Sequence, residues 1–285
     1  MVNKIYLPPA EIAAFTAEVG VKKTSMNKVR SFVLSIIAGA YIALAAIGSN
    51  TAAHGLLANP ETYGQGKLAA AVVFAVGLMM VLIAGAELFT GNCLIIVGVL
   101  EKKVKAAAMA LNLCTVWLGN LVGGVLVSWI AATTGLFNGG GNLLAAVTIK
   151  IAAGKCVLGF GDAFLLGILC NILVCLGVWM SFAAQDTIGK LFASGFPVFL
   201  FVCSGYEHCI ANMAYIPMGI FAKANPAYVQ AALDLGVSQS SLDALNWGNM
   251  FVTNMIPVTL GNIVGGSVCV GLLYWFVYLK KAKKN

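Results

Sequence analysis

Charge is what this sequence has least of. Of its 285 residues only 9% are Asp, Glu, Lys or Arg, while 60% are hydrophobic and mean hydropathy is +0.93. A soluble domain carries about 25% charged residues. A soluble globular fold is therefore excluded, and a polytopic membrane protein is expected. Histidine is scarcer still, with only His54 and His208. Eight cysteines are present (Cys93, Cys114, Cys156, Cys170, Cys175, Cys203, Cys209 and Cys269), but no two form a CxxC pair. Most lie inside apolar runs, where Cys serves as a small packing residue, so neither disulfides nor a metal site are expected. There is no phosphate loop, metal-ligand pair or Ser/His/Asp grouping, so an enzyme is not expected and no cofactor is implied. The start "MVNKIYLPPAEIAAF" lacks the basic-then-apolar pattern of a cleaved signal peptide. The first spanning segment is thus expected to act as its own insertion signal.

What is present is a set of long apolar runs. Six approach or exceed the roughly 20 residues that cross a bilayer: Ser31 to Ile47, Lys67 to Leu100, Ala106 to Thr133, Asp162 to Ala183, Leu191 to Ala222 and Asn249 to Tyr278. The second and fifth are too long for one plain span. Each is interrupted, by "AGAELFTGN" and by "GYEHCIANM". A helix broken at mid-membrane is tolerated only where its freed backbone groups face protein or a water-lined cavity. Three domains follow: a cytoplasmic segment at 1–30 with an amphipathic helix, a six-helix membrane domain at 31–279, and a basic tail at 280–285. In the helix, Ile12, Phe15 and Val19 share one face by spacing, with Thr16 as an exception. It either lies on the membrane interface or caps a pore.

The net charge of +7 comes from Lys and Arg gathered at segment ends, which reads as a topology signal and not as a nucleic-acid surface. Lys4, Lys22, Lys23, Lys28, Arg30, Lys102, Lys103, Lys105, Lys190, Lys280, Lys281, Lys283 and Lys284 fall on one face. Lys67, Lys150, Lys155 and Lys223 fall on the other. The positive-inside rule places both termini in the cytoplasm. An internal repeat is visible as well: "WLGNLVGGVLV" from Trp117 matches "TLGNIVGGSVCV" from Thr259. Three spans per half invert the second half, giving a 3+3 repeat with its site near the midplane. The breaks are aligned here on Thr90 and His208.

Ionisable groups at bilayer depth cost roughly 2.5–3.5 kcal/mol on insertion scales, so those present need a reason. The intramembrane Asn residues 92, 112, 120, 171, 212, 254 and 262 read first as interhelical hydrogen-bond partners. Glu87 and Glu207 flank the breaks at matching places, and both read as caps for freed backbone N–H groups. His208 titrates near neutrality and suits a pathway role, with Thr90 placed to hold its ring. Lys155 reads either as a loop lysine or as an anion attractor. Phe74, Leu78, Leu88, Phe89 and Phe201 would line a dry constriction if a pore runs here.

Together "AGAELFTGN", "WLGNLVGG", "ASGFPVFLFVCSGYEHCIANM" and "IPVTLGNIVGG" closely resemble the formate/nitrite transporter family, from the N-terminal helix to the sixth span. The resemblance implies an all-α, aquaporin-like membrane fold with helices 2 and 5 broken. It also implies a homopentamer in a bacterial inner membrane, with a substrate path in each protomer for small monovalent anions. Formate is expected first, with nitrite and hydrosulfide as rivals. On matching positions, His208 would be the central histidine and Thr90 its partner. Lys155, Asn171 and Glu207 would hold and bias the site, and Phe74, Leu78, Leu88 and Phe201 would form two constrictions. Tyr206 stands where some members carry Phe. A protonated weak acid crosses an apolar slit more cheaply than its anion, so proton coupling through His208 is expected. The rival class is a neutral-solute pore resembling water and glycerol channels. That class calls for paired Asn-Pro-Ala motifs at the breaks, whereas "ANP" (Ala58–Pro60) and "ANPA" (Ala224–Ala227) fall in expected loops.

Overall fold

The computed structural model describes residues 6–280. Lys4 and all of the expected basic tail except Lys280 lie outside the described residues. Among the described residues the chain is helical, with a single isolated β-bridge between Tyr6 and Ala184. In chain order the helices are α1 (Pro9–Ser25), α2 (Lys28–Ala58), α3 (Pro60–Gly85), α4 (Phe89–Leu100), α5 (Ala106–Thr133) and α6 (Leu143–Cys156). They continue as α7 (Phe160–Ala183), α8 (Thr187–Ser204), α9 (Cys209–Ala222), α10 (Pro226–Asp234), α11 (Gln239–Ala244) and α12 (Trp247–Tyr278). Six of them, α2, α3, α5, α7, α8 and α12, are long and apolar enough to cross a membrane. Leu111, Leu118, Leu126 and Trp129 of α5, and Phe192, Phe196 and Leu200 of α8, are exposed on the outside of the bundle. Apolar surface of that extent suits lipid or a neighbouring protein and not water. The chain is a multi-pass membrane protein.

The breaks fall where the sequence places them. α3 ends in a π-helical turn at Gly85, and α4 begins at Phe89. α8 ends before Gly205, and α9 begins at Cys209. Gly85 and Gly205 have φ of 85° and 81°, the left-handed region that only glycine enters without strain. Each lets the chain leave one short arm and turn into the next.

The two halves repeat element by element and run in opposite senses. α3 starts beside one cavity, which Lys67 and Phe74 line, and ends beside a second, which Leu78 and Val81 line. α8 ends at the first cavity, through Phe201 and Gly205. The packing repeats too, α2 on α5 as α7 on α12, and α1 on α4 as α6 on α9. A Cβ at Gly123 would overlap the Ile36 carbonyl, and one at Gly265 would overlap the Ile168 carbonyl. The shared VGG motif is thus a point of close approach in each helix pair, the usual place for small residues in membranes.

Two findings depart from the sequence reading. First, residues 143–156 form a helix that the sequence pass leaves out. Leu144 through Ile149 are all buried, so α6 has no polar stripe there to set up a helical period. α6 is the counterpart of α1, which extends the repeat beyond three spans per half. Second, α1 buries Ile12, Ala13, Thr16, Ala17 and Gly20, not the expected face of Ile12, Phe15 and Val19. Phe15 is exposed on one edge, against Phe182 at 5.2 Å between ring centroids. The small residues win because α1 packs closely on α4, where Gly20 faces the Ile95 backbone. α1 lies against the bundle and lines one cavity through Thr16, Val19, Gly20, Lys22 and Lys23.

Candidate functional site

Each break is held by one asparagine from an LGN motif. Asn120 accepts from the Phe89 N–H at 3.0 Å and donates to the carbonyls of Ser35 at 2.7 Å and Glu87 at 2.9 Å. Asn262 accepts from the Cys209 N–H at 3.0 Å and donates to the carbonyls of Gly167 at 2.7 Å and Glu207 at 3.0 Å. The Glu87 and Glu207 N–H groups donate to the Leu34 and Leu166 carbonyls. Backbone groups freed in a membrane must find such partners. Asparagines and neighbouring helices supply them, so the capping role expected of Glu87 and Glu207 is not the one they play.

Both glutamates make ion pairs instead. Lys155 Nζ lies 2.7 Å from Glu207 Oε1, and Lys23 Nζ lies 2.7 Å from Glu87 Oε1. The second carboxylate oxygen of Glu207 accepts from Asn212 at 2.6 Å, and Asn212 donates also to Asn254 at 2.7 Å. Asn254 closes the ring by donating to the Lys155 carbonyl at 3.0 Å. In the first half Asn92 donates to Glu87 at 2.8 Å and to Asn112 at 2.8 Å, and Asn112 donates to the Lys23 carbonyl at 3.3 Å. The two rings correspond residue for residue. Lys155 is therefore not a loop lysine: it sits in the last turn of α6. The register of the breaks is corrected as well. Glu87 matches Glu207 and Asn92 matches Asn212, so the counterpart of His208 is Leu88, not Thr90.

His208 is the N-cap of α9, and its Nδ1 accepts the Ala211 N–H at 3.0 Å. That bond leaves the neutral ring with its proton on Nε2, which donates to Thr90 Oγ1 at 2.9 Å. This contact brings together the first turns of α4 and α9, so two helix N-termini with their positive dipole ends converge there. Asn171, expected beside Lys155 and Glu207, lies elsewhere. It donates to the Thr90 carbonyl at 3.2 Å and the Asn262 carbonyl at 2.6 Å, and Cys175 Sγ donates to the same Thr90 carbonyl at 3.3 Å. Asn171 therefore positions Thr90 from behind and does not touch the lysine.

Two vestibules reach this centre from opposite sides. One has a volume of 390 Å³ and is lined by Lys67, Phe74, Lys155, Phe201, Glu207 and His208, among others. The other, of 330 Å³, adjoins α1 and is lined by Lys23, Leu78, Glu87 and Leu88. No residue lines both. Phe74, Leu78, Leu88 and Phe201 are each at most 3% exposed, with Phe74 and Phe201 edge to face at 5.9 Å. Phe201 also lies 5.6 Å from the His208 ring, and Tyr215 stacks on Phe74 at 6.1 Å. An apolar plug thus lies between two chambers that are themselves largely apolar in lining but each hold one Lys–Glu pair. Phe89, by contrast, is buried and lines neither chamber. Lys23 and Tyr215 are the site residues the sequence reading missed. By sequence Lys23 is only one of the topology charges, and its match to Lys155 in the repeat is what marks it out.

Comparison with known proteins gives the family. The model of the family described as "Formate/nitrite transporter" matches residues 10–276. The formate channel FocA of Escherichia coli (strain K12) is 38% identical over 282 residues, covering 96% of this chain and 95% of that protein. A solved pentameric formate channel with formate bound superposes with a TM-score of 0.78 at 39% identity, covering 89% of this chain and 98% of that one. An FNT family ion channel superposes at 0.75 with 29% identity, covering 94% of this chain and 98% of that one. With its inverted repeat, its two broken helices and a match along nearly its whole length, the chain belongs to the formate/nitrite transporter family.

Proposed function

We propose that this chain conducts small monovalent anions, formate first, through a pathway inside each protomer of a homopentamer. It is a conduit and not an enzyme, in line with relatives named as channels and transporters. Its place is a bacterial inner membrane with both termini cytoplasmic, as the Lys and Arg distribution supports. The vestibule beside α1 is then the inner one, and the vestibule holding Lys155 the outer one.

One observation carries the reading: a histidine with its Nε2 2.9 Å from Thr90 Oγ1, at an apolar plug between two chambers that each hold a Lys–Glu pair. A dry plug excludes a bare anion because shedding water is costly. The lysines raise the local anion concentration. At the plug the anion meets two helix N-termini and the His208–Thr90 pair. Proton transfer from a doubly protonated ring breaks a ring N–H bond and forms an O–H bond on the anion. The neutral acid then crosses the plug and leaves the ring singly protonated, its Nδ1 again capping Ala211, until the next anion arrives and the ring takes a new proton from solvent. Because Nδ1 is held as an acceptor by Ala211, the doubly protonated ring must give up that cap, so it forms only while an anion is near to compensate.

The test is uptake into liposomes of formate, nitrite, hydrosulfide, lactate and glycerol by the purified chain. Saturable formate uptake with no glycerol passage is expected. Glycerol passage without formate would select the neutral-solute pore. A mass near that of a single chain in native mass spectrometry under mild conditions would sink the pentamer.

A further inference from the structure

Lysines line the far-side vestibule unequally. Lys67, Lys150 and Lys155 face one carboxylate there, Glu207. Lys155 is bound to it at 2.7 Å, and its side chain is only 15% exposed. Lys150 is exposed and reaches the Leu235 carbonyl at 3.5 Å. Lys67 differs from both. It is half-buried, and among the described residues it makes no ion pair and no hydrogen bond. Its ammonium lies over the turn before Glu207, where a side chain at Gly205 would meet it at 3.3 Å. It is close enough to Lys155 and Glu207 to interact electrostatically with both.

Its place on α3 is also informative. Lys67, Ala70 and Phe74 recur at helical spacing and line the same chamber. At 1.5 Å rise per residue Lys67 stands roughly 10 Å above Phe74 on that face. A half-buried ammonium with its donors unused, two turns above the apolar plug, is placed to take up an anion before the paired Lys155 does. The other half has no equivalent: the residue equally far before Gly205 is Thr187, at the start of α8.

We propose that Lys67 is the anion-capturing residue of the far-side vestibule, binding the substrate first and passing it to the Lys155–Glu207–His208 group. The proposal rests on the anion-channel reading above.

Initial rates of labelled formate uptake in right-side-out and inside-out vesicles, made from cells producing the full chain, test it. Lys67→Gln should raise KM about fivefold in one orientation only, roughly the effect of one unit charge in contact through a water-like dielectric. Maximal rate should change little. Lys67→Arg should stay within about twofold of the unsubstituted chain, since the charge persists. The gap between Lys67→Gln and wild type should close as ionic strength rises to about 0.5 M, where the screening length is only a few ångströms. If Lys67→Gln does not accumulate, Lys67→Met, which keeps the aliphatic stem, decides in its place. An unchanged KM in both orientations overturns the proposal while leaving the channel reading intact. So does an equal loss in both orientations that Lys67→Arg shares, which would make Lys67 a support for the Gly205 turn. Wild-type vesicles that pass no monovalent anion would overturn both readings.

Discussion

The two halves of this protein hold their breaks with the same parts and differ at the residue that follows each glutamate. Lys23, Glu87, Asn92, Asn112 and Asn120 reproduce Lys155, Glu207, Asn212, Asn254 and Asn262 residue for residue, and the second half adds a long bond of 3.4 Å from Asn254 to Glu207. The position after the glutamate is Leu88 in one half and His208 in the other. Symmetry here serves a backbone problem that both halves share, since every interrupted membrane helix must satisfy its freed N–H and C=O groups. Chemistry is placed where the repeat departs from itself. One titratable ring against one leucine gives the centre a polar side and a dry side.

The repeated framework can be broken most severely at its asparagines. Asn120→Ala and Asn262→Ala would each leave one N–H and one carbonyl of a break without partners, those of Phe89 and Glu87 or of Cys209 and Glu207, since the Ser35 and Gly167 carbonyls keep their helical bonds. Each such buried group costs about 1–3 kcal/mol, so each variant should lose several kcal/mol. A large and similar drop in Tm is expected for both in detergent. A loss confined to one half would show that the two breaks are not held alike.

Much of this plan could be read from the sequence. The spans, both breaks, the LGN repeat, Lys155 and His208 are visible because hydropathy and interrupted runs are local signals. The ion pairs are not local: Lys23 reaches Glu87 across 64 residues, and Lys155 reaches Glu207 across 52. α1 and α6 correspond in space but share no motif, and α6 lacks a polar stripe, so neither their equivalence nor the role of Lys23 could be seen. The break register is not legible from sequence because Thr90 and His208 are the conspicuous polar residues of the two breaks, yet they are contact partners and not symmetry mates. Thr90 and His208 touch because they come from opposite arms.

The next effect concerns the one departure from symmetry. His208→Leu makes the centre alike on both sides, and His208→Asn keeps a helix cap without an exchangeable proton. Losing a buried hydrogen-bond partner costs about 1–3 kcal/mol, or roughly five- to 150-fold in a barrier. Formate uptake should fall by about that factor in His208→Leu. In His208→Asn the dependence on pH should vanish over about pH 5 to 8, where histidine changes charge. Should His208→Asn keep the wild-type profile and proton co-movement in liposomes, the ring is structural and the proton travels elsewhere.

A smaller contrast separates the lysines. Lys155 shares its chamber with His208, whereas Lys23 faces Leu88 across the other. Both pairs are largely shielded, and removing either lysine leaves a carboxylate only 7% exposed. Lys155→Ala should cut formate flux several-fold more than Lys23→Ala, and Lys155→Arg should retain part of the activity. Pairing each with its glutamine partner, Lys155→Ala with Glu207→Gln and Lys23→Ala with Glu87→Gln, should restore Tm without restoring flux in the first case. Equal flux losses in the two single variants would mean that the chambers contribute alike.

The smallest effect is expected on the outer faces of α1 and α6, where the repeat is not kept. Glu18 of α1 pairs with Lys103 beyond α4, both exposed, while its counterpart Lys150 of α6 reaches only the Leu235 carbonyl. Exposed pairs contribute little and are screened by salt. Glu18 holds the Lys103 ammonium above its usual range, by hydrogen bond first. For a lysine raised in this way, the stabilisation is fully present below the unfolded value of about 10.4. It is lost only as pH rises through the higher folded value. Between about pH 5 and 8, the range in which His208 is tested, Glu18→Gln should therefore lower Tm only slightly and by the same amount at every pH, and leave the pH profile of uptake unchanged. A similarly small change in Tm is expected for Lys150→Gln. A shift of the uptake profile in Glu18→Gln would tie the α1 surface to the pathway and move part of the pH response away from His208.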